Sequence, residues 1–147
     1  MRRTETILVA EDDTDDAFFL QRAFHKAGVR TSLKFVRDGQ EVIDYLDGEG
    51  EFTDHAAHPT PDLLLLDLKM PRMNGFQVLE WVRNQPDFKR LPVIIFSSSD
   101  DGKDINQAYD LGANSYLLKP HSSEDLIAVA HKLQMYWVES NQPPVFS

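Results

Sequence analysis

Four short apolar runs, at residues 7–10, 63–66, 93–96 and 116–118, constrain this chain most, because each is nearly continuous and each stops on a polar or charged residue. A strand with one wet face alternates, whereas a strand covered on both faces is apolar throughout. The stretches between carry apolar residues at helical spacing: Leu20, Phe24 and Ala27; Val78, Leu79 and Val82; Leu126, Val129, Ala130, Leu133 and Trp137. Strands that alternate with helices predict a parallel sheet wound by right-handed crossovers. A more polar run at 32–36 predicts a fifth strand at an edge, followed by a helix over about 38–47 with Glu41 in the capping-box position. Five strand and helix pairs in strict alternation fit within 147 residues as one domain.

Helix limits are signalled locally. Thr14 precedes Asp15 and Asp16, carboxylates suited to a helix N-terminus, and Gly28 closes that segment; Asn74 has Gln77 three residues on, and Ser122 has Asp125. Two stretches fall outside the repeat. Residues 48–61 (GEGEFTDHAAHPTP) read as a surface loop, and the tail 135–147 (MYWVESNQPPVFS) carries three aromatics and a Pro pair. The expected organisation is a domain over 1–138 and a C-terminal extension over 139–147 that offers a dimer contact.

Composition removes several function classes. With no cysteine, disulfide frameworks, thiolate zinc sites and cysteine nucleophiles are out. Fifteen Lys and Arg against 24 Asp and Glu give a net charge of -9, which repels a phosphate backbone, so no nucleic-acid partner is expected. Arg2 and Arg3 precede too few apolar residues for a signal-peptide core, and no apolar run approaches the roughly 20 residues that cross a bilayer. The expectation is a cytoplasmic protein with no membrane contact.

Polar residues follow four of the strands directly: Glu11, Asp12 and Asp13 the first, Asp67 the third, Ser97 the fourth and Lys119 the fifth. A parallel sheet puts them all on one edge, where open α/β sheets bind ligands. Clustered carboxylates repel one another unless a cation sits among them or some are protonated. Oxygen ligands with no neighbouring His or Cys suit Mg²⁺, which takes a few carboxylates, keeps waters and accepts phosphate oxygens. Lys119 and the Ser97 hydroxyl could contact further phosphate oxygens, which makes this a phosphoryl-transfer site with Asp67 as acceptor.

Four motifs stand in order: ILVAEDD at 7–13, LLLLDLKMPRMNG at 63–75, PVIIFSSSD at 92–100 and GANSYLLKP at 112–120. With them the chain resembles the receiver domains of two-component response regulators. The resemblance implies a doubly wound five-stranded parallel sheet, the (βα)5 flavodoxin-like receiver fold, in strand order 2-1-3-4-5. It implies that Asp67 accepts a phosphoryl group from a histidine kinase or a phosphotransfer protein. Glu11, Asp12, Asp67 and the backbone carbonyl of Lys69 would hold Mg²⁺, with Asp13 a neighbour rather than a ligand. Ser97 and Tyr116 would be the switch residues, Lys119 the lysine at the phosphoryl group, and the Lys119–Pro120 bond would be cis. Glu11 and Ser97 stand where many members have Asp and Thr, departures that touch rate and metal affinity.

The resemblance also implies a signalling phosphoacceptor that catalyses only its own phosphorylation and dephosphorylation. A phosphoryl charge near -2 would bias the fourth helix, fifth strand and fifth helix toward a second arrangement, for partner binding or dimerisation. The chain ends soon after the last helix, so the expectation is a single-domain regulator. Its tail, YWVESNQPP, resembles that of stand-alone receivers that partner bacterial phytochrome kinases, and a phytochrome kinase and a homodimer are the expected partners.

Each residue also has a plainer reading. The run EDDTDD would by default be a solvated helix cap, which is the reading kept for Asp15 and Asp16. His55 and His58 lack a third ligand at sensible spacing and read as solvated loop histidines. Phe18, Phe19 and Phe24 read as core or partner-facing aromatics of the first helix. The rival functions are a constitutive, non-phosphorylated dimerisation module, a Mg²⁺-dependent phosphohydrolase and a flavin carrier. The hydrolase would need an acid two residues after Asp67, where Lys69 stands, and the flavin carrier a Ser/Thr/Gly-rich loop where EDDTDD stands. The intact acid pair, Asp67, Ser97 and Lys119 argue against the constitutive module.

Overall fold

The computed structural model describes residues 6–145. Its strands and helices alternate as β1 (Thr6–Ala10), α1 (Thr14–Lys26), β2 (Ser32–Val36), α2 (Gly39–Asp47), β3 (Leu63–Leu66), α3 (Gly75–Asn84), β4 (Val93–Ser97), α4 (Gly102–Asp110), β5 (Ser115–Leu118) and α5 (Ser123–Leu133). All neighbouring strands run parallel, in the order β2-β1-β3-β4-β5. This is the doubly wound flavodoxin-like arrangement that the resemblance implies.

Continuous apolar strands produce two cores, because successive side chains leave a strand on opposite faces. Leu8, Leu64, Leu66, Val93 and Ile95 join Val42 of α2, Val78, Leu79 and Val82 of α3 and Ala108 of α4 on one face. Ile7, Val9, Leu63, Leu65 and Ile94 join Leu20, Ala23 and Phe24 of α1 and Ala130 and Leu133 of α5 on the other. Register then sets the functional edge: Ala10 pairs with Leu66, Leu66 with Ile95 and Ser97 with Leu118. The ladder runs on past the strands, with Glu11 N–H donating to Val36, Asp67 N–H to Ala10 and Lys119 N–H to Ser97, at 3.0, 3.2 and 2.8 Å.

Caps fix the helices. Asn74 and Gln77 form a complete capping box on α3, and Ser122 accepts from Asp125 N–H on α5. At α1 the cap is Asp13, which accepts from the N–H groups of Asp15 and Asp16; Thr14 is already helical. Asp13 wins because its carboxylate reaches both N–H groups and its charge favours the helix N-terminus.

Several expectations are corrected. The 48–61 stretch is more than a surface loop: a 3-10 turn at Gly50–Phe52 buries Phe52. His58 is not simply solvated, since its ring stands edge-on to both Tyr45 and Phe52. The helix predicted to reach Trp137 changes pitch first: Gln134–Ser140 is π-helical. That wider turn carries the chain across the expected boundary at 138/139 while Val138 stays buried. Among the described residues no peptide bond is cis, so Lys119–Pro120 is trans. The trans form is the lower-energy isomer of an X–Pro bond, and with it the Lys119 side chain already reaches its partners. Arg2, Arg3 and Phe146 lie outside the described residues.

Candidate functional site

Glu11, Asp12 and Asp67 come together at the carboxyl ends of β1 and β3, each with an oxygen within 4.8 Å of the others'. Glu11 and Asp67 are buried and Asp12 is exposed. The Lys119 ammonium, from the end of β5, crosses to them and donates to Glu11 Oε1 at 2.5 Å and to Asp67 Oδ2 at 2.8 Å. Asp16, read from sequence as a helix-capping acid, lies 3.7 Å from the same ammonium. Its signal was present in EDDTDD, five residues from Glu11, but only the entry angle of α1 shows which way it faces.

Burial and partners set the electrostatics. Burial pushes the Glu11 carboxyl up to about 7, against the pull of Lys119 and with the Asp67 charge adding to the rise. Burial alone would lower Lys119, but its hydrogen bonds to Asp67 and Glu11 outweigh that and hold it above the ordinary lysine range. Lys119 is therefore a fixed positive charge. Once all three carboxyls are ionised, one ammonium leaves about a divalent cation's charge uncompensated, before Asp16 is counted. The donors are hard oxygens with no soft ligand beside them, so the cluster fits a divalent cation of the Mg²⁺ or Mn²⁺ type.

The loop after β3 folds tightly over Asp67. Gly75 N–H donates to Leu68 O at 2.9 Å, and a Cβ on Gly75 would stand 2.4 Å from Asp67 O, so only glycine fits. Lys69 N–H donates to Asp67 Oδ1 at 3.3 Å, which sets Lys69 beside that carboxylate.

Ser97 is buried at the end of β4, where its Oγ accepts from Ser99 N–H at 3.1 Å. Tyr116 lies half-buried on β5, its ring packed against the α2/α3/α4 core and its hydroxyl donating to Ser99 O at 2.8 Å. Ser99 Oγ in turn donates to Asp104, in the first turn of α4, at 2.6 Å. Sequence reading passed over Ser99 and Asp104, because a serine in SSSD carries no signal until its neighbours are known.

The response regulator receiver domain model matches residues 7–131. The chain belongs to this family. Response regulator Rcp1 of Synechocystis sp. is 31% identical over 136 residues, 92% of this chain and 90% of Rcp1. A Mn(2+)-bound form of response regulator Rcp1 has a solved structure, similar at a TM-score of 0.84 and 30% identity, covering 96% of this chain and 99% of that one. The phosphorylated cyanobacterial phytochrome response regulator RcpA is similar at a TM-score of 0.87 and 32% identity, covering 97% and 99%. Response regulator RPA3017, in red light signaling of R. palustris, is similar at 0.90 and 36%, covering 96% and 99%. The receiver is thus a two-component signalling phosphoacceptor domain related to phytochrome response regulators. Among the described residues no helix is long and apolar enough to cross a membrane.

Proposed function

We propose that this receiver takes a phosphoryl group onto Asp67 from a histidine kinase or phosphotransfer protein, and that the kinase belongs to the phytochrome type its relatives serve. The observation that carries the reading is the meeting of Glu11, Asp12 and Asp67 with a Lys119 ammonium already bonded to two of them. Glu11, Asp12, Asp67 and the Lys69 carbonyl would hold Mg²⁺, which when bound screens the charge of the carboxylates and the incoming phosphate. An Asp67 oxygen attacks phosphorus, the P–N bond to the donor imidazole breaks, and the imidazole leaves with the electron pair. Lys119 offers its ammonium to the transferred oxygens, and the Ser97 hydroxyl offers another donor once it turns from Ser99. The chain acts on no other substrate in this reading.

The access route supports a helical donor. A groove of 660 Å³ runs between α1 and α5 from Glu11 and Lys119 along Leu20, Ala23, Leu126 and Ile127. Phe18 and Phe19 stand exposed on α1. Output would leave by α4, β5 and α5: Tyr109 and Leu118 are exposed there, and Met135 and Tyr136 extend the apolar surface beyond α5. A second copy of the chain, joined there and through residues 139–147, is the partner this surface favours. The setting is the cytoplasm.

Intact mass after incubation with acetyl phosphate tests the reading. One added phosphoryl group that requires both Mg²⁺ and Asp67 is the expected result, with Asp67→Asn unmodified. No adduct, together with no binding of a non-hydrolysable phosphate mimic, would leave the constitutive dimerisation module as the better account.

A further inference from the structure

Arg72 is the one non-glycine residue with positive φ, 63°, among the described residues. An L-residue there carries a steric cost, and such strain persists only where surroundings over-determine it. Met73 N–H donates back to Pro71 O at 2.7 Å, so Arg72 sits at the centre of a γ-turn of the strained, positive-φ kind. Its side chain compensates. Arg72 Nε and Nη2 donate to Asp38 Oδ2 and Oδ1 at 2.9 and 3.0 Å, a two-pronged contact with both carboxylate oxygens.

Asp38 has a second task. Its Oδ1 also accepts Glu41 N–H at 2.8 Å and so caps α2. The first residue of α2 is pressed against the same turn: a Cβ on Gly39 would lie 2.1 Å from Met73 O. One carboxylate therefore ties the β2–α2 corner to the 68–74 loop, whose near end holds Lys69 N–H on Asp67.

We infer that the Arg72–Asp38 fork is a positioning clamp, which keeps the strained turn closed so that Lys69 and Asp67 stay in the pose that binds the divalent cation. The inference rests on the proposed cation site. Arg72 touches neither phosphate nor metal; it acts through the loop it closes. An exposed ion pair alone contributes little to stability. Its effect here is felt in the loop, because the fork holds the strained turn at Arg72 against the β2–α2 corner.

Calorimetric titration with Mg²⁺ alone tests it on the whole chain, with thermal unfolding run in parallel. Arg72→Ala removes the fork and keeps the backbone cost, and it should weaken Mg²⁺ binding by about tenfold, as loss of outer support to a metal ligand does. Arg72→Gly removes the fork and the backbone cost together, and it should fall between Arg72→Ala and wild type. Asp38→Asn keeps the α2 cap, since Asn caps as well as Asp, yet should weaken binding like Arg72→Ala. The double variant should be no weaker than either single one, because both remove the same contact. Mg²⁺ affinity within about twofold of wild type in Arg72→Ala, or additive losses in the double variant, overturns the clamp. Wild type that binds no Mg²⁺, or binds it equally in Asp67→Asn, overturns the cation site instead. Should Arg72→Ala not fold, Arg72→Gly and Asp38→Asn decide by the same criterion.

Discussion

The centre and the β5 flank of this sheet are packed on different terms. Every residue of β1, β3 and β4 is buried, and α3 buries Gly75, Val78, Leu79 and Val82 against them. On the flank β5 is only half-buried, Leu118 is 49% exposed, and α4 buries Ala108 alone. The acidic cluster hangs from the centre, at the ends of β1 and β3, whereas Tyr116 and the Ser99–Asp104 contact belong to the flank. Precise ligand geometry needs rigid support, and a surface that must change is drawn from lightly packed elements. Lys119 crosses between them, anchored on the flank and bonded to the centre.

The difference should be largest in core truncations. Leu64→Ala, at a residue 0% exposed, should cost about 2–5 kcal/mol in urea unfolding, while Leu118→Ala should stay within about 0.5 kcal/mol. A Leu118→Ala cost comparable to that of Leu64→Ala would mean that the flank is covered in solution, and protein concentration should then shift the transition.

Next comes the crossing residue. Lys119→Met leaves Glu11 and Asp67 facing each other without their cation, and in chelator it should lower stability by up to about 3 kcal/mol. Saturating Mg²⁺ should restore more stability to this variant than it adds to wild type, because the ion then replaces the missing charge. A variant more stable than wild type in chelator would show that the carboxyls simply take up protons.

A smaller contrast should appear in amide exchange. The amides of α4 should exchange at least about tenfold faster than those of α3, since a helix with one buried side chain opens more cheaply. Equal protection would remove the basis for treating the flank as the mobile part. Phosphorylation or a phosphate mimic should act on α4 exchange and leave α3 nearly unchanged.

The same division separates what sequence could reveal from what it could not. Leu63 to Leu66 with Asp67 behind them announce a buried strand and an edge residue together, so β3 was legible to the residue, and β1 and β4 to within one. Asn74 with Gln77 likewise announced α3. The fourth helix followed only from alternation, because one buried alanine leaves no periodic stripe to read. The pitch change at Gln134 left no mark in composition, and His58 was misread because its partners, Tyr45 and Phe52, meet it through tertiary packing. Asp16, Arg72 and Asp38 share that reason: each is an ordinary surface charge until the fold supplies its partner.

The smallest predicted effect belongs to the surface pair and separates its charge from its packing. Burial tends to raise the Asp38 carboxyl, but Arg72 and the Glu41 N–H outweigh it and hold it below the ordinary carboxylate range. A lowered folded value means that the pair's stabilisation is present in full above the unfolded value near 3.9, and is lost as pH falls through the folded value. At neutral pH Arg72→Ala should therefore melt about 1–2 °C below wild type, as loss of an exposed pair does. That gap should hold down to about pH 4 and close at lower pH, as Asp38 takes up its proton. A gap that persists unchanged into acid would assign the effect to the apolar stem of Arg72 lying on its neighbours. The clamp would then be a matter of shape, and raised salt, which screens an exposed pair and leaves packing alone, should not loosen it.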